Sequence, residues 1–118
     1  MKLEIDITPL ALARPRINTT NRGRYLPSRC QKYLEELRLM VRSVYKDKPA
    51  EKPLAVSLHF YKPVKVTAQK YGDADNLAKA VLDACNGILY KDDRQIVELH
   101  CYKHKGEGKL EIEVVECT

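Results

Sequence analysis

No stretch of this sequence approaches the ~20 consecutive apolar residues that a membrane-spanning helix needs. The opening Met1-Lys2-Leu3-Glu4-Ile5-Asp6 alternates charge with apolarity, so no secretory leader is expected there. The four cysteines are scattered. Cys30, Cys85, Cys101 and Cys117 form no C-x-x-C pair, which removes the usual zinc signature. Free thiols in a reducing cytoplasm are the expectation. Internal repeats and low-complexity tracts are also lacking.

What is present suits one domain over residues 1–118. The chain is 44% hydrophobic and 31% charged, an ordinary globular mixture that can bury a modest core. A small chain this charged often completes its core by oligomerising, so a homodimer is expected. The net charge of +5 favours polyanionic partners. On charge alone, nucleic acid stands only slightly ahead of a merely solvated surface.

Leu3, Ile5 and Ile7 alternate with Glu4 and Asp6, the pattern of a half-buried strand that Pro9 ends. Residues 13–29 are rich in Arg, Asn, Thr and Pro and show no period, which reads as a mobile basic loop. Ser28 is placed to cap a helix from about Arg29 to Tyr45, with Tyr33, Leu34, Leu37, Val41 and Val44 on one stripe. A polar connector, 46–53, leads to a second strand in which Leu54, Val56, Leu58 and Phe60 alternate with Ala55, Ser57, His59 and Tyr61. A second helix is expected from near Asp75 to Asn86-Gly87, where glycine supplies the stop. Strands follow over 96–102 and around Leu110, Ile112 and Val114. The turn at Lys105-Gly106-Glu107-Gly108 predicts that these two pair as an antiparallel hairpin. The expected fold class is α+β: a two-layer sandwich, a mixed four-stranded sheet with two helices in the order β-α-β-α-β-β.

Four carboxylates stand out: Asp73, Asp75, Asp92 and Asp93. If residue 74 is extended, Asp73 and Asp75 point the same way. Asp75 can also cap the helix. Clustered carboxylates repel and raise each other's pKa values, and a bound cation relieves that cost. Hard oxygen ligands suit Mg²⁺, with Mn²⁺ as a substitute, over zinc. On the second helix Leu77, Ala80, Val81 and Ala84 form the apolar face. Asp75, Lys79, Asp83 and Asn86 fall opposite. Asp75 and Lys79 are i, i+4 neighbours that can meet, and Lys79 is placed to donate to a phosphate oxygen. Leu82 on this polar side implies a covering partner. Taken singly, each motif reads more readily as a cap, a turn or a surface ion pair. Together, in a basic protein, they stand near even odds with a metal site.

The run Asp73-Ala74-Asp75-Asn76-Leu77-Ala78-Lys79, then Asp83, Asn86-Gly87 and Asp92-Asp93-Arg94-Gln95-Ile96, resembles the RusA family of Holliday junction resolvases. Arg14-Pro15-Arg16 and Arg22-Gly23-Arg24-Tyr25 are similar to that family's basic, proline-containing loop. The resemblance implies a cytoplasmic homodimeric endodeoxyribonuclease that resolves four-way junctions by paired nicks with Mg²⁺. Recombination, repair and phage DNA processing are the implied settings. Catalytic and metal-binding roles fall on Asp73, Asp75 and Asp93, with Lys79 as an essential partner and Asp92 a less certain ligand. Tyr71-Gly72 departs from relatives that carry basic residues before the first aspartate, and Lys70 takes over that contact in this reading.

Arg14, Arg16, Arg22, Arg24, Lys65 and Lys70 are the expected phosphate contacts, and about half of such charges are ordinarily just solvated. Tyr25 reads as a buried residue ahead of a base-stacking one. His59, His100 and His104 read as structural or exposed. The alternative function is a non-catalytic branched-DNA-binding protein.

Overall fold

The computed structural model describes residues 1–12 and 28–117, together with the backbone of 16–17 and 24–25. Strand β1 (Lys2–Ile5) buries Leu3 and Ile5 and exposes Lys2 and Glu4, as its alternation requires. Arg16–Ile17 (β2) and Arg24–Tyr25 (β3) pair as a short antiparallel ribbon. That ribbon corrects the expectation of a wholly aperiodic loop at those four residues. The rest of the loop up to residue 27 lies outside the described residues.

Helix α1 (Ser28–Val44) begins at Ser28 itself rather than after it. Its buried stripe is Cys30, Tyr33, Leu37 and Val41, with Leu34 half-buried, and Val44 at the end is 48% exposed. Strand β4 (Leu54–Lys62) buries every second residue from Leu54 to Lys62. Helix α2 (Ala74–Cys85) buries Leu77, Ala78, Ala80, Val81, Ala84 and Cys85. Asn86 follows as its cap, and Gly87 has φ +81°, a value at which glycine carries no Cβ penalty. Strands β5 (Ile96–Lys105) and β6 (Lys109–Glu116) complete the chain.

The sheet order is β1-β6-β4-β5. β4 runs antiparallel to β6 and parallel to β5, and β1 is antiparallel to β6. The sheet is mixed, as expected, but the predicted β5–β6 hairpin does not exist, because β4 lies between the two strands. From Lys105 beside Lys62, the chain hops over the end of β4 to Lys109 beside Tyr61. The Gly106 N–H donates to the Lys62 carbonyl at 2.9 Å to anchor the hop. Two interstrand spacings of ~4.8 Å lie within the ~13 Å that four peptide steps can reach. A short glycine-rich turn therefore serves a hop as well as a hairpin. Gly108 is needed for closeness: a Cβ there would fall 2.2 Å from Thr8 Oγ1.

One core joins the inner sheet face (Leu54, Val56, Leu58, Phe60, Leu110, Ile112) to both helices. On the other face, ring stacking zips β4 to β5: His59–Tyr102 centroids are 4.6 Å apart and Tyr61–His104 4.7 Å. His59 Nδ1 and His104 Nε2 share a 2.9 Å hydrogen bond. Both rings are thus engaged between the two strands.

The helices are tied end to side. Arg38 Nη1 of α1 donates to the carbonyls of Asp83 (3.3 Å), Ala84 (3.1 Å) and Asn86 (3.3 Å). A guanidinium there satisfies last-turn carbonyls and opposes the negative end of the helix dipole. Arg38→Ala should lower stability by about 1–2 kcal/mol, read as a lower urea midpoint with an unchanged slope.

Candidate active site

β4, α2 and β5 form one crossover unit, and the acidic residues sit along its open side. Between α2 and β5 lies a cleft of about 450 Å³ lined by Asp75, Ala78, Lys79, Leu82, Asp83, Asp93, Leu99 and Cys101. A cleft of about 680 Å³ lies elsewhere, around Tyr45, Ala50 and Lys91, and holds none of the expected acidic set. Chemistry rather than volume singles out the smaller one.

Each wall has a local cause. Asp73 is the residue before α2, with φ −78° and ψ 144°, and its side chain makes no capping hydrogen bond. The cap position is thus Asp73's, not Asp75's, and Ala74 is already helical. The extended-chain condition for Asp73 and Asp75 to point together does not hold, and Asp73 does not line the cleft. Asp75 sits in the first turn, where its charge favours the helix dipole. Lys79 and Asp83 follow at helical spacing on the same face, and all three line the cleft. Asp75 and Lys79 form no ion pair.

Asp93 is held from the other side. A 3₁₀ turn, Asp93–Gln95, leads into β5. Asp92 caps it, accepting from the Arg94 N–H at 2.9 Å, while the Gln95 side chain accepts from the Asp92 N–H at 2.9 Å. This reciprocal pair is a capping box. Gln95 Nε2 also donates to the carbonyls of Ala50 (2.8 Å) and Lys52 (3.1 Å), fixing the turn to the connector before β4. Asp92 is thereby spent on its cap and on an ion pair with Arg94 at 3.3 Å. The Arg94 backbone and side-chain contacts hold its carboxyl below the usual range. Asp93 is left facing the cleft.

Asp83 lies on the polar face of α2 and lines the cleft, and it is a site residue beyond the expected set. Its signal was the i, i+4 spacing from Lys79. Burial pushes its carboxyl above the usual range, Lys79 pulls it back in part, and Asp93 pushes it up again. The raised value makes Asp83 favour folding most at low pH, a contribution lost as the pH rises through that value. Asp83→Asn should therefore raise the melting temperature of the metal-free protein at pH 7, with the gain shrinking toward pH 4. Equal gains at both values would contradict this electrostatic account.

Among the described residues, no three Asp, Glu, His or Cys side chains stand together as a closed metal cage. The cleft's donors still fit a hydrated hard cation, because Mg²⁺ keeps several waters and takes only one or two carboxylates. Burial pushes the Cys101 thiol up, and a soft sulfur is in any case a poor match for a hard cation such as Mg²⁺.

The expected DNA contacts fare unevenly. Arg16 and Arg24 occupy facing strands of the ribbon. Arg14 and Arg22 lie outside the described residues. Lys65 and Lys70 are exposed in the 63–72 segment leading to Asp73. No described helix is long and apolar enough to cross a membrane.

A family model described as endodeoxyribonuclease RusA matches residues 6–115. The uncharacterized protein YqaN of Bacillus subtilis (strain 168) is 40% identical over 47 residues, 39% of this chain and 33% of that relative. The match thus spans about a third of the curated relative.

Proposed function

The chain belongs to the RusA family of Holliday junction-resolving endodeoxyribonucleases, and from that premise we propose that it cleaves four-way DNA junctions with Mg²⁺ in the α2–β5 cleft. The single observation that carries this reading is the convergence of Asp75, Lys79, Asp83 and Asp93 on one open cleft. Asp75 and Asp93 would hold the cation, with Asp73 joining from the helix entrance. A bound Mg²⁺ would supply an oriented water and neutralise charge developing on the phosphate. Lys79, unpaired beside them, donates to a non-bridging phosphate oxygen as that charge grows. The exposed lysines of 65–70 and the arginines of the ribbon hold flanking phosphates.

The working form in this reading is a homodimer. Leu82 and Leu99 leave apolar surface at the cleft rim, and Val97, at a bulge in the edge strand β5, is 62% exposed. An open edge with apolar side chains is a surface that proteins usually cover. Sedimentation should give a dimer at micromolar concentration. Junction processing in recombination, repair or a phage setting, in the cytoplasm, is part of the same proposal.

The deciding experiment compares four-way, three-way and linear DNA side by side in Mg²⁺. Preferential nicking of the four-way substrate is expected. The open arrangement of the carboxylates favours one second reading, a non-catalytic branched-DNA-binding protein. It predicts junction binding without nicks in either Mg²⁺ or Mn²⁺.

A further inference from the structure

Two lysines on the inner face of the sheet do something unusual for their position. Lys62, at the end of β4, is only 9% exposed, and Lys103 lies on the neighbouring strand. Neither has a carboxylate ion-pair partner among the described residues. Lys62 Nζ donates to the carbonyls of Lys70 (3.3 Å) and Tyr71 (3.1 Å), and Lys103 Nζ donates to the carbonyl of Gly72 (2.9 Å). Both ammonium groups stand over the Tyr71 ring, 5.4 Å and 4.8 Å from its centroid. Tyr71 is itself fully buried, its hydroxyl shared between the carbonyls of Phe60 (2.8 Å) and His104 (2.7 Å).

Burying a cation is expensive unless it is compensated. Two cations side by side add mutual repulsion, and burial, Arg29 and Lys103 together push the Lys62 amine down from its usual value. Leucine or methionine would fill the same space at less cost. What the lysines add is a grip on three consecutive carbonyls, 70 to 72. The next residue is Asp73, whose side chain makes no capping hydrogen bond. Its carboxylate is placed by the backbone alone, and that backbone is what the lysines hold.

We propose that Lys62 and Lys103 are positioning residues: by fixing the 70–72 carbonyls they set where Asp73, at the entrance of α2 beside the cleft, stands relative to the cation. This rests on the metal-dependent reading above and assigns it two residues outside the acidic set. Partners one step removed from a metal ordinarily change its affinity about 10–100-fold.

The test is Mn²⁺ binding to the full chain without DNA, followed by electron paramagnetic resonance. Lys103→Met should weaken Mn²⁺ binding about tenfold, and Lys103→Arg, which keeps a donor, should recover most of it. Lys62→Met should act in the same direction. If it fails to fold by circular dichroism, the half-buried Lys103 carries the test alone. In an Asp73→Asn background the Lys103→Met effect should fall below about twofold, because the two act through one group. An undiminished effect in that background overturns the proposal, as does unchanged Mn²⁺ affinity in Lys103→Met. Intact Mn²⁺ binding with weaker junction binding and a salt slope lower by about one charge would make these lysines phosphate contacts instead. An unaltered protein that binds no Mn²⁺ overturns both readings. One that binds Mn²⁺ but cuts nothing overturns only the nuclease.

Discussion

Replacing Asp75 or Asp93 with Asn should slow junction cleavage in Mg²⁺ by roughly 10³-fold or more while leaving junction binding intact or tighter. Each change keeps the side chain's size and removes one charge from the cleft the two residues share. A catalytic cation contributes several kcal/mol of transition-state stabilisation, and each ~1.4 kcal/mol is tenfold in rate. Binding should survive because a carboxylate lost near phosphates removes repulsion. Asp92→Asn is the internal comparison. Its carboxylate caps the 93–95 turn and pairs with the exposed Arg94, and Asn keeps a capping acceptor, so the change should lower stability only slightly and cost only a small part of the rate. Single-turnover cleavage and binding in Ca²⁺ separate the two quantities. Equal rate losses at 92 and 93 would refute the division of labour drawn here, and normal cutting by Asp75→Asn would remove it from the site.

Gly72→Ala is the second large effect. Gly72 has φ +97° and an extended ψ of 159°, a region that is essentially glycine's alone and costs other residues about 1–3 kcal/mol. A Cβ there would also lie 2.6 Å from the Ala11 Cβ. Overpacking of that kind adds about 1–3 kcal/mol. The variant should therefore lose roughly 2–6 kcal/mol of stability, measured by denaturant unfolding. The segment that must move to relieve the clash is the one that delivers Asp73. Cleavage should fall further than the folded fraction alone accounts for.

Much of this was legible along the chain because the periods were clean. The alternation from Leu54 to Phe60 gave a strand, and the 3.6-residue spacing of Leu77, Ala80, Val81 and Ala84 gave a helix whose polar face is the cleft wall. Asn86-Gly87 stopped that helix where glycine permits φ +81°. What was not legible depended on partners distant in sequence. The 106–108 turn is as short as a hairpin's, and only the insertion of β4 between β5 and β6 reveals a hop. Asp92 and Asp93 are adjacent and identical in type. Which one faces the cleft was decided by a capping box that commits Asp92. Lys62 and Lys103 lie just past the ends of the strands expected from the alternation, and nothing local announces three carbonyls waiting for them.

The parallel pairing of β4 with β5 has a consequence for how this protein acquires its chemistry. Parallel neighbours cannot be joined by a tight turn, so the β4–β5 pairing closes across the whole of α2. Asp75 travels with the helix, whereas Asp93 arrives only with the start of β5. The cleft that Asp75 and Asp93 share exists only when β5 has closed onto β4. A cation bridging the two residues would bind only the closed form and hold it shut by mass action. Catalytic competence and the survival of β5 are then one equilibrium seen from two sides.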